Sequence, residues 1–146
     1  MMKKVSFKTT LEVRDACLCL YVQRAARTLA RCFDDALRPT GLTNGQFSLL
    51  MSLNRPQPPG MAPVAQLLGM DRTTLTAALK PLERDGLVLI EVDPEDRRGR
   101  LLRLTDRGHA VLNRALPIWR ATHAEVEARL TAMSADALRA GLAELA

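Results

Sequence analysis

Three arginines, Arg97, Arg98 and Arg100, crowd the stretch DPEDRRGRLLRLTDRG at residues 93–108, with Asp93, Glu95 and Asp96 beside them. Apolar runs flank the charges, LVLIEV at 87–92 and RLLRL at 100–104. Two such runs, separated by polar residues with Pro94 and Gly99, predict a β-hairpin. Arginine at a hairpin tip suits the narrow, negative minor groove of DNA, because a guanidinium gives up hydration more easily than an ammonium. Asp96 is expected to pair with Arg98 or Arg100 and hold the fork in position. The alternative is a surface hairpin whose charges neutralise one another, worth about 0–1 kcal/mol per exposed pair.

The segment before the hairpin offers a second set of contacts. Asp71 is a good N-cap for a helix over about 72–85, and Gly86 closes it. At about 100° per residue, Leu75, Ala78, Leu79 and Leu82 fall on one side. Thr73, Thr76, Ala77, Lys80 and Arg84 fall on the other. One face is core; the opposite face is small, hydrogen-bonding and basic. The major groove, about 12 Å wide, admits such a helix, and Thr hydroxyls and methyls reach base edges or phosphates. Arg72 stands at the helix start, where free backbone N–H groups also favour phosphate. An ordinary solvated helix face has the same composition. Pro81 removes a hydrogen bond late in the helix and leaves its N-terminal half alone.

Catalytic and metal chemistry have little to work with. His109 and His123 are fourteen residues apart on one expected helix, about 21 Å along its axis at 1.5 Å per residue. They cannot share a metal there, and no nucleophile–base pair or glycine-rich phosphate loop is present. No catalytic residue, metal or cofactor is expected. The three cysteines lack metal-type spacing and fit a reducing cytoplasm. Cys17 and Cys19, two apart on a helix, face apart. Cys17 and Cys32 lie too far apart along a straight helix to pair.

These residues need a scaffold. Residues 11–38 read as one long helix rich in Leu and Ala, ended by Pro39 and Gly41. Thr43 and Gln46 have capping-box spacing for a helix over about 43–54. NRPQPPG at 54–60 is a loop, and a short helix follows with Pro63 in its first turn and Gly69 at its end. After the hairpin, Thr105 caps a long segment over about 106–130, with a kink expected at Pro117. Ser134 starts a last helix over about 135–145. Two short helices joined by a tight glycine-containing turn make a helix-turn-helix, and a hairpin directly after the second makes a wing.

The chain has 146 residues, one domain by length, and 47% apolar residues, which argues against disorder. Aromatics are 3%, so the core is expected to be Leu, Val, Ala and Met. No apolar run approaches a membrane span, and the start reads as no signal peptide. The net charge of +5 is unevenly spread: residues 41–107 hold nine Lys/Arg against eight Asp/Glu. Attraction for a polyanion therefore depends on placement rather than on bulk charge.

With these elements in order, the sequence resembles the MarR family of winged-helix transcription regulators from about residue 11 to 145. The stretch LERDGLVLIEVDPEDRRGRLLRLTDRG carries the resemblance most specifically, supported by ALRPTGLTNGQFSLL and VAQLLGMDRTTLTAALKPLE. The resemblance implies one mainly α domain over 1–146, with a small β-hairpin wing. Residues 43–104 would form the winged helix-turn-helix, and 11–38 and 106–146 the dimerisation helices. It implies a cytoplasmic homodimer that places recognition helices in successive major grooves of a pseudo-palindrome. Arg98 would enter the minor groove, supported by Asp96, with Arg97 near phosphate and Arg100 beside them. Arg72, Thr73, Thr74, Thr76 and Lys80 would touch bases and backbone. Family members commonly repress and release DNA on binding a small aromatic or phenolic effector; that cleft would involve Arg14, Cys17, Tyr21, Phe47, Met51 and Trp119. Two alternatives stay open. One is a repressor sensing organic hydroperoxides through Cys19, whose LCL context matches, although Phe33 and Asn44 stand where those sensors carry tyrosines. In its absence of such phenols, Cys19 reads as a buried, apolar helix residue. The other is a winged-helix protein-interaction module.

Overall fold

The computed structural model describes residues 1–146. The chain forms two compact units, Met1–Cys32 and Phe33–Ala146. It is mainly helical, with a two-stranded hairpin.

The first unit holds α1 (Phe7–Ala16) and most of α2 (Leu18–Leu37). The expected single helix over 11–38 is corrected in two ways. It begins earlier, where the Ser6 hydroxyl accepts the Thr9 N–H. It also breaks at Cys17, whose backbone is extended (φ −71°, ψ 106°). Backbone groups at the break keep partners: Cys17 N–H donates to the Val13 carbonyl at 3.0 Å, and the Cys17 carbonyl accepts from Tyr21 N–H at 3.2 Å. Residues 11–30 contain neither glycine nor proline, so no residue type marks the interruption.

In the second unit, α2 ends at Leu37 and a 3-10 turn, Arg38–Thr40, leads to Gly41 at φ +79°. A side chain would strain that left-handed position. Helix α3 (Asn44–Leu53) starts in the expected capping box: the Thr43 hydroxyl accepts from Gln46 N–H, and the Gln46 side chain accepts from Thr43 N–H. Asp34 adds a longer-range cap, accepting the Asn44 backbone N–H at 2.7 Å and its side-chain amide at 3.1 Å.

Helices α4 (Met61–Leu68) and α5 (Arg72–Arg84) follow, separated by left-handed Gly69. Strands β1 (Val88–Val92) and β2 (Arg100–Leu104) pair antiparallel, with Val88 opposite Leu104 and Val92 opposite Arg100. Helix α6 (Asp106–Ala128) is capped by Thr105, and α7 (Ala135–Leu145) by Ser134. Residues 54–60 are more than the expected loop. Gly60 bridges Leu101, and the Pro59 carbonyl accepts from Leu102 N–H at 2.8 Å. Proline lacks a donor but keeps its acceptor, so it serves an edge of this kind. Helix α6 also continues past Pro117 to Ala128. Pro117 is exposed, so water can satisfy the carbonyl it leaves without a donor.

Leucines dominate the core. Leu49 and Leu50 of α3, Leu75, Leu79 and Leu82 of α5, and Leu102 of β2 are buried with Val64, Val88 and Ala115. Met61 and Met70 only border this cluster, so the expected methionine share of the core is small. Helix α6 is clamped to the hairpin. Thr105 N–H donates to the Leu87 carbonyl at 3.1 Å, and its hydroxyl donates to the Gly86 carbonyl at 2.7 Å. At Gly108 the approach is so close that a Cβ would lie 2.3 Å from the Leu87 oxygen.

Candidate nucleic-acid interface

The helix that carries the candidate base-reading residues is fixed at its start by Asp71, whose carboxylate accepts the Thr74 N–H at 2.7 Å. Backbone and hydroxyl hydrogen bonds from Thr74 hold the Asp71 carboxyl below its ordinary range. Thr74 is thereby engaged with the cap. Leu75, Leu79 and Leu82 are buried, which leaves Arg72, Thr73, Thr76, Ala77 and Lys80 exposed on the other flank. The Thr76 hydroxyl donates to the Arg72 carbonyl at 2.8 Å.

The wing tip answers why acids stand among arginines. The Asp93 carboxylate accepts from Glu95 N–H at 2.9 Å, and the Asp96 carboxylate from Arg98 N–H at 3.0 Å. Two backbone bonds, Asp93 N–H to the Gly99 carbonyl (3.1 Å) and Gly99 N–H to the Asp96 carbonyl (2.8 Å), complete the loop. The expected pairing of Asp96 with the Arg98 or Arg100 guanidinium is therefore corrected: Asp96 shapes backbone. Aspartate favours this bond to an N–H two residues on, which competes with a more distant ion pair. Arg100 braces the tip by donating from one terminal nitrogen to the Arg97 and Gly99 carbonyls. None of Arg97, Arg98 and Arg100 takes part in an ion pair.

Helix and wing enclose one cleft of about 370 Å³. Arg72, Thr76 and Lys80 of α5 line it together with Arg98 and Arg100 of the wing. Thr73, Thr74 and Arg97 are exposed but lie outside its lining. Glu83, Met61 and Ile90 also line it and were missed. Helical spacing held the signal for Glu83, which follows Lys80 by three and Thr76 by seven. Four cations thus face one carboxylate across this concavity. Such a surface attracts phosphate through charge.

A second cleft of about 370 Å³ is apolar and gathers Phe47, Met51 and Trp119 with Leu67, Leu68 and Leu116. The Phe47 and Trp119 rings stack at 6.1 Å, and His123 stacks on Trp119 at 4.7 Å. The other three candidate effector residues, Arg14, Cys17 and Tyr21, belong to the N-terminal unit. There Arg14 bonds Asp15 at 2.7 Å, and Arg24 lies 5.0 Å over the Tyr21 ring. Cys19 is exposed, not buried as expected, and its sulfur accepts from the Gln23 amide at 3.1 Å. Phe33 packs near His123, and Asn44 is bonded to Asp34.

Comparison with known proteins agrees with this architecture. The MarR family model matches residues 42–99, from the start of α3 to the wing tip. The M. tuberculosis transcriptional regulator MosR, solved in complex with DNA, is 40% identical with a TM-score of 0.81, over 88% of this chain and 92% of its own. The transcriptional activatory protein BadR of Rhodopseudomonas palustris is 36% identical over 107 residues, 70% of this chain and 61% of BadR. The regulator BilQ of Clostridioides difficile is 32% identical over 79 residues, 54% of this chain and 53% of BilQ. The chain thus spans less than two thirds of these two curated relatives. Fold, cleft and matched residues together place it: the chain belongs to the MarR family, whose members are winged-helix transcriptional regulators rather than enzymes.

Proposed function

We propose that this protein is a sequence-specific, double-stranded DNA-binding regulator that acts as a cytoplasmic homodimer on a pseudo-palindromic operator. The cleft shared by α5 and the wing carries this reading. Its cations come from two elements that flank one concavity, and none of them is spent on an ion pair. In this reading, Arg72 and Lys80 take backbone phosphates, Thr73 and Thr76 face base edges, and Arg98 enters the minor groove. Arg97 and Arg100 meet the phosphates that line it. The DNA complex of MosR supports the assignment by likeness.

Exposed apolar side chains support the homodimer. Leu18, Leu20, Tyr21, Val22 and Leu29 of α2 are exposed in a single chain, as are Leu142 and Leu145 of α7. Large apolar side chains left exposed on a helix are commonly covered by a partner. The apolar cleft around Trp119 supports regulation by a small aromatic or phenolic effector: the protein represses until the effector binds and releases it from DNA. The cleft's size lies in the range of ligand pockets, about 300–1,000 Å³.

A gel shift with the DNA upstream of the protein's own reading frame, across a salt series, tests the reading. Affinity is expected to fall steeply with salt, and Arg98→Ala to weaken specific binding by about 1–3 kcal/mol. No binding at low salt, or binding without a salt slope, would favour the protein-interaction module instead.

A further inference from the structure

A third concavity, of about 140 Å³, lies among the loop after α3, the end of β2 and the first turn of α6. We propose that it is a binding site for a phosphate oxyanion, either a backbone phosphate of DNA flanking the wing or a free ion. The DNA source rests on the reading above; the free-ion source does not.

Arg55, Arg103 and His109 supply the chemistry, each from a different element. Pro56 and Pro58 form the wall beside Arg55. No carboxylate lines the cleft. Arg55 Nε donates to the Ser52 carbonyl at 3.1 Å, which fixes its arm and leaves the two terminal nitrogens to a ligand. Arg103 Nε shares Glu91 Oε2 at 3.3 Å, with both side chains nearly half exposed. That contact likewise orients the guanidinium without consuming its outer edge. Two arginine forks match the tetrahedral oxygens of phosphate in charge and geometry. The volume equals a handful of water molecules at about 30 Å³ each, enough for one such ion. The fixed proline φ reduces the freedom Arg55 loses on binding.

This cleft is separate from the recognition cleft. Arg100 and Arg103 are three residues apart on β2, so strand alternation turns them to opposite faces. Arg100 lines the recognition cleft and Arg103 lines this one. A duplex passing the wing is thereby offered cations on both sides of the hairpin.

Two measurements on the full chain test the site. The first titrates inorganic phosphate into the protein followed by amide NMR, against sodium chloride at equal ionic strength. Saturable shifts at Arg55, Arg103 and His109 are expected, weakened at least tenfold in the Arg55→Gln/Arg103→Gln double variant. The second measures salt slopes by fluorescence anisotropy on two duplexes with the same central site, one trimmed at the wing and one extended beyond it. The double variant is expected to lower the slope on the extended duplex by about 1, the value for one phosphate, and to leave the trimmed one unchanged. A slope change identifies backbone phosphate; phosphate binding without it identifies a free ion. Thermal melting of the double variant, and partial rescue by Arg55→Lys, separate loss of the site from loss of fold. Absence of both saturable phosphate binding and any slope change overturns the proposal. Failure of the wild type to bind DNA overturns only the DNA-binding reading, because the phosphate titration still judges the cleft.

Discussion

Replacing Gly108 by alanine should disconnect the wing from the helix that supports it. A Cβ there would meet the Leu87 carbonyl oxygen at 2.3 Å, with Leu104 Cδ2 at 3.2 Å and the Leu87 carbonyl carbon at 3.3 Å. The nearest of these is backbone, so relief requires α6 to move away from the start of β1 by roughly 1 Å, to reach ordinary van der Waals separation. The movement stretches the Thr105 N–H to Leu87 carbonyl bond, now 3.1 Å, and the Thr105 hydroxyl to Gly86 carbonyl bond, now 2.7 Å. Overpacking of this kind costs about 1–3 kcal/mol, and weakening one hydrogen bond adds about 0.5–1.5 kcal/mol. Alanine recovers up to about 1 kcal/mol of helix propensity. The net expectation is a loss of about 2 kcal/mol, or a fall in Tm of about 4–8 °C for a chain of this size. Urea unfolding followed by far-UV circular dichroism measures it. Gly45→Ala is the matched control, also in a first helical turn, where the new Cβ would meet only Thr43 Oγ1 at 4.0 Å. It should be neutral or stabilising. Equal effects of the two substitutions, or an unchanged midpoint for Gly108→Ala, would refute the close-approach argument.

Three further outcomes follow from the same geometry. Asp96→Asn should keep DNA affinity, because an amide oxygen can still accept the Arg98 N–H, whereas Asp96→Ala should weaken it; anisotropy on one duplex compares them. The lowered Asp71 carboxyl stabilises the start of α5 fully above its ordinary value of 3.8, and that contribution is lost as pH falls below it. Acid melting curves should show this loss, and Asp71→Asn, which caps without titrating, should flatten it. Trp119 is the chain's single tryptophan, so an aromatic effector in the apolar cleft should quench its emission and raise Tm; quenching that survives Phe47→Ala and Met51→Ala unchanged would move the ligand elsewhere.

Much of this architecture is local enough to read from residue order. The capping pair Thr43 and Gln46, the caps Asp71, Thr105 and Ser134, and the glycines at 41, 69 and 86 all act within a few residues of themselves. The hairpin and its two strands followed from the apolar runs at 87–92 and 100–104. What escaped was set by competition or by distance. The break at Cys17 carries no residue signature. The bridge from Gly60 to Leu101 pairs residues forty-one apart, beyond any local pattern. The role of Asp96 was legible but was outranked by the attraction of opposite charges, although an acceptor two residues before an N–H is the stronger local rule. Of the candidate site, α5 and wing residues converge on one cleft, while the proposed effector residues divide between the apolar cleft and the N-terminal unit.

The acidic residues resolve the contrast between a nearly neutral middle segment and a cationic cleft. Asp71 faces the Thr74 N–H, Asp93 the Glu95 N–H and Asp96 the Arg98 N–H. Each carboxylate sits against a backbone dipole that partly offsets its field, at hydrogen-bond distance. The wing-tip arginines Arg97, Arg98 and Arg100 join no ion pair, and Arg100 donates only to the Arg97 and Gly99 carbonyls. In the cleft an approaching phosphate meets four cations and only the Glu83 carboxylate, while Asp71, Asp93 and Asp96 are spent on backbone N–H groups. Were the acids instead paired to the arginines, each phosphate contact would first require an ion pair to break, and the wing would lose affinity without gaining order. Using carboxylates to fold the loop and cations to bind separates the two tasks by position, so a segment with nine basic and eight acidic residues can present four cations against one carboxylate in its cleft.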